Sequence, residues 1–260
     1  MIAYTAVSNI RNVYNCGVGD VICSVHEFKT AGPSGGSLAT AMDLFDNYSM
    51  SDIRTSLNPY VLSPRPPPNR PSSRGRLSRI FGPFSDPDLG QLTTSMTASI
   101  NVPIVHRSAG LMPQLYGTNF RFEEYLHVRN YAWGVAIHLG LAFASIMLTL
   151  SPLRALIKKF IYQPGQGPTV EASSKDILEY RAVAVADQQG PERKAMATIR
   201  YEGGFYYLTG VFLAEAAMVL LKEKELVEQL GGGVLTPACL GQRFVERLQN
   251  ANVQISGKLL

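Results

Sequence analysis

The sequence predicts an α+β fold: a mixed, mainly antiparallel sheet covered by helices, with one long apolar helix. Three observations carry that prediction. Four segments have the alternation of half-buried strands, at 19–29, 120–128, 177–186 and 195–203. The last two are joined only by the polar stretch "DQQGPER" (187–193), which is long enough for a hairpin. Helical spacing brackets the strands, at 1–14 before them and in "FYYLTGVFLAEAAMVLLKEKELVEQL" (205–230) after them.

In order along the chain, residues 1–14 place Ile2, Ala6, Ile10 and Val13 on one side of a helix that needs a partner face. After the 19–29 strand comes "GPSGGSLAT" (32–40). Pro33 fixes φ there, Gly35 or Gly36 is free to take a positive φ, and Ser37 is the expected N-cap of a helix running to Tyr48. Residues 58–88 are rich in Pro, Arg and Ser and read as a loop insertion. Arg65, Arg70, Arg74, Arg76 and Arg79 follow one another there with no acid between them. This is a solvated insertion or a basic patch for anionic headgroups. Its lack of aromatic residues argues against single-stranded nucleic acid, which is held by stacking. Residues 92–108 look strand-like. In "FRFEEYLHV" (120–128), Phe120, Phe122, Leu126 and Val128 share a face interrupted by Glu124, and Arg121, Glu123, Tyr125 and His127 share the other. "GGG" at 231–233 ends the 205–230 helix. "CLGQRFVERLQNAN" (239–252) is a shorter helix and 253–259 a final strand or tail.

From Tyr131 to Leu153 no residue is charged, and Arg154, Lys158 and Lys159 follow at once. The 131–160 stretch has the length and polarity of a membrane-associated helix, with Tyr131 and Trp133 suited to an interface. His138, several small residues and Pro152 dilute the signal. Three alternatives stay open: a buried helix, a helix lying in one leaflet or on a lipid droplet, and a full span. In each, this face leaves water.

Hydrophobic residues make up 46% of the 260 and charged ones 17%. The charged share is below the usual level of about 25%, which implies apolar surface covered by lipid or a partner. Net charge is +4, with the excess concentrated in the Arg-rich stretch. Cys16, Cys23 and Cys239 show neither metal-ligand spacing nor a disulfide framework, so a reducing compartment is the default. The first residues contain no apolar signal region. H-E-x-x-H is absent, leaving metalloprotease chemistry unsupported.

Two stretches are candidates for chemistry. The turn Ser34, Gly35, Gly36, Ser37 is a candidate substrate-binding site, because the N–H groups at a helix start suit an anion or carbonyl. It lacks the lysine of a Walker loop and the spacing of a dinucleotide fingerprint, so no cofactor-binding residue is assigned, and no metal ligand. The other candidate is the row on the 120–128 strand. Arg121, Tyr125 and His127 are its candidate catalytic residues, since Tyr and His donate or relay protons in reductions. The competing reading is a solvated sheet face. His106 and Arg107 are weighed in the same way, and His26 and His138 read as packing residues.

Several stretches together resemble the saccharopine dehydrogenase-like oxidoreductases, the group that includes the trans-acting enoyl reductases. They are "AGPSGGSLATAMDLFDN" (31–47), "VPIVHRSAGL" (102–111), "QGPTVEA" (166–172), "IRYEGGFYYLTGVFLAEAAMVLL" (199–221) and "GGGVLTPACLGQRFVERLQNANVQI" (231–255). Their order matches the second half of that family. The resemblance implies that 1–260 is a single C-terminal catalytic or substrate-type domain without the family's N-terminal Rossmann domain. It implies NAD(P)H-dependent reduction of a lipid-like substrate by the full-length family, with no cofactor expected to bind this chain alone. It further implies a homodimer and a membrane or lipid-droplet surface as partners; the composition of the Arg-rich loop leaves no nucleic acid among them. The matching location is the cytosolic face of a lipid droplet, mitochondrion or ER membrane, with the cytoplasm as the alternative.

Overall fold

A computed structural model describes residues 1–69, 80–160 and 162–260. Its centre is a seven-stranded sheet in the order β2-β3-β4-β1-β5-β6-β7. The strands are β1 (Val18–Lys29), β2 (Phe84–Asp86), β3 (Gly90–Thr94), β4 (Arg121–His127), β5 (Ile177–Ala186), β6 (Lys194–Glu202) and β7 (Gln254–Leu259). β1 and β4 pair in parallel and every other neighbour pair is antiparallel. The expected α+β class with a mixed, mainly antiparallel sheet is therefore present.

Helix α1 (Ile2–Tyr14) lies across β5, β6 and β7. Ala3, Ala6, Val7 and Ile10 are its buried residues. Beneath it the sheet presents Ala182, Ala184, Ala186, Ala195 and Ala197. Small side chains on both partners let the helix sit close, and Val21, Cys23 and Phe122 fill the space beside it. Of the four residues expected to face inward, Val13 is instead exposed, because α1 ends one residue later at Tyr14 and Asn15 caps it in the left-handed conformation.

The next helices are α2 (Gly35–Asn47), α3 (Met50–Ser56), α4 (Ala98–Leu111) and α5 (Pro113–Tyr116). Residues 92–108, expected as strand, divide between β3 and α4. The stretch is rich in β-branched residues, yet its buried positions Pro103, His106 and Ala109 recur at helical spacing against β4. The 58–88 insertion is also not loop throughout, since β2 lies at its end and pairs with β3. Within it, Arg65 donates to Gly110 O, whereas Arg70, Arg74, Arg76 and Arg79 lie outside the described residues.

The apolar segment forms α6 (Tyr131–Thr149), followed by α7 (Ser151–Ile157) and α8 (Val170–Ser173). α6 is tied down at both ends. Thr93 Oγ1 donates to Gly134 O at 2.8 Å, and Thr94 Oγ1 meets His138 Nδ1 at 2.7 Å. Beyond its far end the buried Arg154 bonds Asp46 on α2 through two nitrogens and also donates to Leu148 O. Most of the surface between these ties is exposed, including Trp133, Leu139, Phe143 and Ile146. The 205–230 helix breaks at Glu223 into α9 (Phe205–Lys222) and α10 (Lys224–Leu230), and α10 ends on Gly231 in the left-handed conformation. A 3-10 turn (Pro237–Leu240) leads into α11 (Gly241–Asn250). Phe244, Val245 and Leu248 of α11 form a second core with Tyr201, Ile255 and Val219.

Candidate functional site

The Gly-rich turn is built as a turn and cap. Ser34, not Ser37, is the N-cap of α2, and its side chain accepts the Ser37 N–H at 3.3 Å. The Ser34 N–H is donated to Tyr206 Oη at 2.6 Å and the Gly35 N–H to Gln166 O at 2.9 Å. Neither Gly35 nor Gly36 takes a positive φ, and Gly32 does instead at 122°. Gly35 is needed for space, because a Cβ there would overlap the carbonyl oxygen of Gln163. The structure thus brings Ser34, Gly35 and Ser37 together with Tyr206 and commits the N–H groups of all three internally.

The fit to a dinucleotide can be judged from the same turn. A pyrophosphate cradle needs free N–H groups at a helix start. Here those of Ser34, Gly35 and Ser37 already have protein acceptors. The described residues do not fit a nicotinamide nucleotide at this position.

The row on β4 is formed as expected, with Arg121, Glu123, Tyr125 and His127 on one face. In register, Asp20 stands beside Arg121, Ile22 beside Glu123 and Ser24 beside Tyr125. The buried Tyr125 donates its hydroxyl to Glu123 Oε2 at 2.7 Å and meets Phe84 edge-on. The His127 ring stacks on His26 at 4.2 Å. His26, which the sequence places as a packing residue, follows Val25 in the unbroken parallel register with β4 and so falls beside His127 in this row. Val25 pairs with Tyr180 and Glu27 with Glu179, leaving His26 as the extra residue. The parallel pairing of β1 with β4 that sets the two rings together has no local sequence signature. Burial and the nearby Arg181 push both imidazoles below the usual histidine range, so the pair is neutral at neutral pH.

Beyond the histidines the same face is charged. Glu179 accepts from Arg181 Nε at 2.6 Å and from Arg200 Nη1 at 2.7 Å. Arg200 also bonds Glu27 and Glu202. Burial alone would raise the Glu179 carboxyl, but the two guanidinium partners outweigh it and hold it below the ordinary range.

Three other polar groups act within the fold. Glu124 is buried on the helix-covered face and accepts from Ser95, Thr97 and Asn101 at the start of α4. His106 joins α4 to the edge of β4, and Arg107 donates to Leu62 O and Val234 O. His138 holds α6, consistent with its expected packing role. Thr236, in the turn before α11, receives a hydrogen bond from Ser108 of α4 at 2.8 Å. Two of the sequence blocks noted above therefore meet in space. Among the described residues no cluster of three or more metal-ligating side chains occurs.

The structure defines a helix-backed mixed sheet whose other face bears an imidazole pair, a tyrosine and a charged ladder. No family model and no solved structure matches the chain. Curated proteins do match it. A Mycobacterium tuberculosis protein, provisionally named as a trans-acting enoyl reductase, is 30% identical over 257 residues, covering 91% of this chain and 58% of its own length. The trans-acting enoyl reductase of Mycobacterium ulcerans is 27% identical over 257 residues, covering 91% of this chain and 59% of its own. That of Mycobacterium bovis is 25% identical over 238 residues, covering 85% of this chain and 55% of its own. The chain is similar over most of its length to proteins with this name, and it spans little more than half of theirs.

Proposed function

We propose that this chain is the substrate-facing portion of an oxidoreductase of the trans-acting enoyl reductase type, within the saccharopine dehydrogenase-like group. The nicotinamide nucleotide is held by protein outside these residues. The observation that supports this is the 30% identity over 91% of the chain to a relative whose name gives enoyl reduction as its activity. The β4 row supplies suitable chemistry. Tyr125, bonded to Glu123, is a proton donor set beside a neutral imidazole pair, and Arg121 lies on the same face. The substrate class is a lipid-like enoyl compound, and a homodimer is the assembly that the same resemblance suggests.

A chimera tests this reading: the matching portion of the M. tuberculosis relative is replaced by this chain. NADPH binding, followed by fluorescence, reports that the chimera is folded. The expected result is NADPH oxidation that depends on a 2-enoyl thioester and falls about 100-fold in Tyr125→Phe. A chimera that binds NADPH but never oxidises it with any enoyl thioester overturns the reading.

A second reading, a non-catalytic protein of a membrane or lipid-droplet surface, is favoured by two helices. Tyr131–Thr149 and Phe205–Lys222 are both long and apolar enough to cross a bilayer, with only 6% and 11% of their residues buried. The ties at both ends of α6 favour lying on a surface over crossing it. Trp133 is the sole tryptophan and sits exposed in the first turn of α6, so it reports directly. Its emission is expected to shift to the blue with anionic vesicles, and Phe143→Glu to reduce partitioning about 10-fold. Unchanged emission at saturating lipid sinks this second reading.

A further inference from the structure

The polar face of β5–β7 carries an array of hydrogen-bond donors that the protein does not itself use. In register, Arg181 stands opposite Thr198, Thr198 opposite Ser256, and Met196 opposite Lys258. With Glu179 and Gly257 these residues line a cleft of about 480 Å³. Glu179 is the one acid in its lining, and both its oxygens are occupied, by Arg181 Nε and Arg200 Nη1. The donors are in the opposite state. Arg181 is oriented by Glu179 through Nε alone, and among the described residues its two terminal nitrogens take no protein partner. Among the same residues the Thr198 and Ser256 hydroxyls take none either, and no carboxylate lies within ion-pair range of Lys258.

We propose that this cleft binds a phosphate-type oxyanion. A guanidinium with both terminal nitrogens free offers the planar fork that suits two oxygens of such a group, and Lys258 adds a second, mobile charge. Two hydroxyls complete the donor set, while Glu179, the only acid among the described lining residues, is already neutralised. That balance selects an anion over a cation. Met196 gives an apolar wall to whatever the oxyanion is attached to. The site does not depend on the reductase reading, because binding is expected of this chain alone, without cofactor.

Calorimetric titration of the 260-residue chain with inorganic phosphate tests it. Saturable binding is expected, weakened about 5- to 10-fold by Arg181→Lys and by Lys258→Gln, and unchanged by Lys222→Gln on the exposed end of α9. Lys258 is exposed on an edge strand, so its variant keeps the fold, which a thermal melt verifies. 4′-Phosphopantetheine is titrated in parallel with pantetheine. Tighter binding than phosphate identifies a carried phosphate as the source, and equal binding identifies the free ion. Absence of saturable binding, or affinity unchanged in both Lys258→Gln and Arg181→Lys, overturns the proposal.

Discussion

His106 Nε2 accepts the backbone N–H of Phe122 at 3.1 Å while its Nδ1–H is donated to Pro59 O at 3.0 Å. The imidazole is 3% exposed and stacks on Tyr60 at 4.0 Å. A proton on Nε2 would remove the acceptor that holds the edge of β4. Burial is the main cause that lowers its pKa to about 4 from 6.5, and the hydrogen bond to the Pro59 carbonyl opposes it. The folded pKa lies below the unfolded one, so the stabilisation is complete above pH 6.5 and is lost as pH falls towards 4. The loss is on the order of 3 kcal/mol. His26 and His127 add to it with the same sign. Urea midpoints for wild type and His106→Gln, which keeps a donor and an acceptor without titrating, should diverge over this window, with the variant flatter. Parallel acid limbs would show that His106 does not titrate with unfolding.

The role of His106 also shows where sequence reasoning stops. The α1 face was legible because its apolar residues repeat at helical spacing, and the β4 row because charged and apolar residues alternate. Around His106 the signal reversed. Ile100, Val102, Ile104 and Val105 are β-formers, and Pro103 argues against a helix interior, yet tertiary packing on β4 makes Ala98–Leu111 helical. A strand there would have hidden the contact with Phe122. The contact of His26 with His127 was invisible for a different reason, since it depends on which strand pairs with β1 and not on local composition.

Gly35 and Gly36 look equivalent in sequence and are not. A Cβ at Gly35 would drive into the backbone of the 162–163 segment, which cannot yield without moving the loop that packs on α2. At Gly36 the nearest atom is Ser34 Oγ at 3.8 Å, an ordinary contact. Gly35→Ala is therefore expected to destabilise by about 2 kcal/mol through overpacking. Gly36→Ala is expected to stabilise by about 0.5 kcal/mol, because alanine is the better helix former. Chemical denaturation of the two variants distinguishes this from a turn that merely needs flexible residues, which predicts similar losses for both.

The ion pair between Arg154 and Asp46 revises the expectation for the basic residues after the apolar helix. Asp46 Oδ1 lies 2.7 Å from Arg154 Nη2, and Asp46 Oδ2 lies 2.7 Å from Lys158. Two of the three cations that would have anchored α6 at a headgroup layer are thus spent on α2. Asp46→Ala leaves the buried Arg154 guanidinium without its carboxylate. A loss of stability is expected, below the usual cost of breaking a buried pair because Asp46 itself is partly solvated. Hydrogen exchange should rise first in α6 and α7, which this pair holds to α2. Faster exchange confined to α2 would mean that the pair serves only that helix.

The His26 and His127 pair should make oxyanion binding pH-dependent in a definite direction. The groups facing His26 are Arg181 and His127, which disfavour its proton, and Glu179 and Glu27, which favour it. Arg181 also acts on His127. An oxyanion seated on Arg181 cancels part of that positive charge, so both imidazoles become easier to protonate in the complex than in the free protein. Binding then takes up protons, and affinity must rise as pH falls. Sulfate separates this from titration of the ligand, since its charge is constant between pH 8 and about 5.5. Sulfate affinity is expected to increase about 3- to 10-fold across that range in wild type, and by less than half of that in His26→Gln. Equal pH dependence in the two proteins would place the titrating group elsewhere, and a flat profile in wild type would separate the histidine pair from the Arg181 cleft.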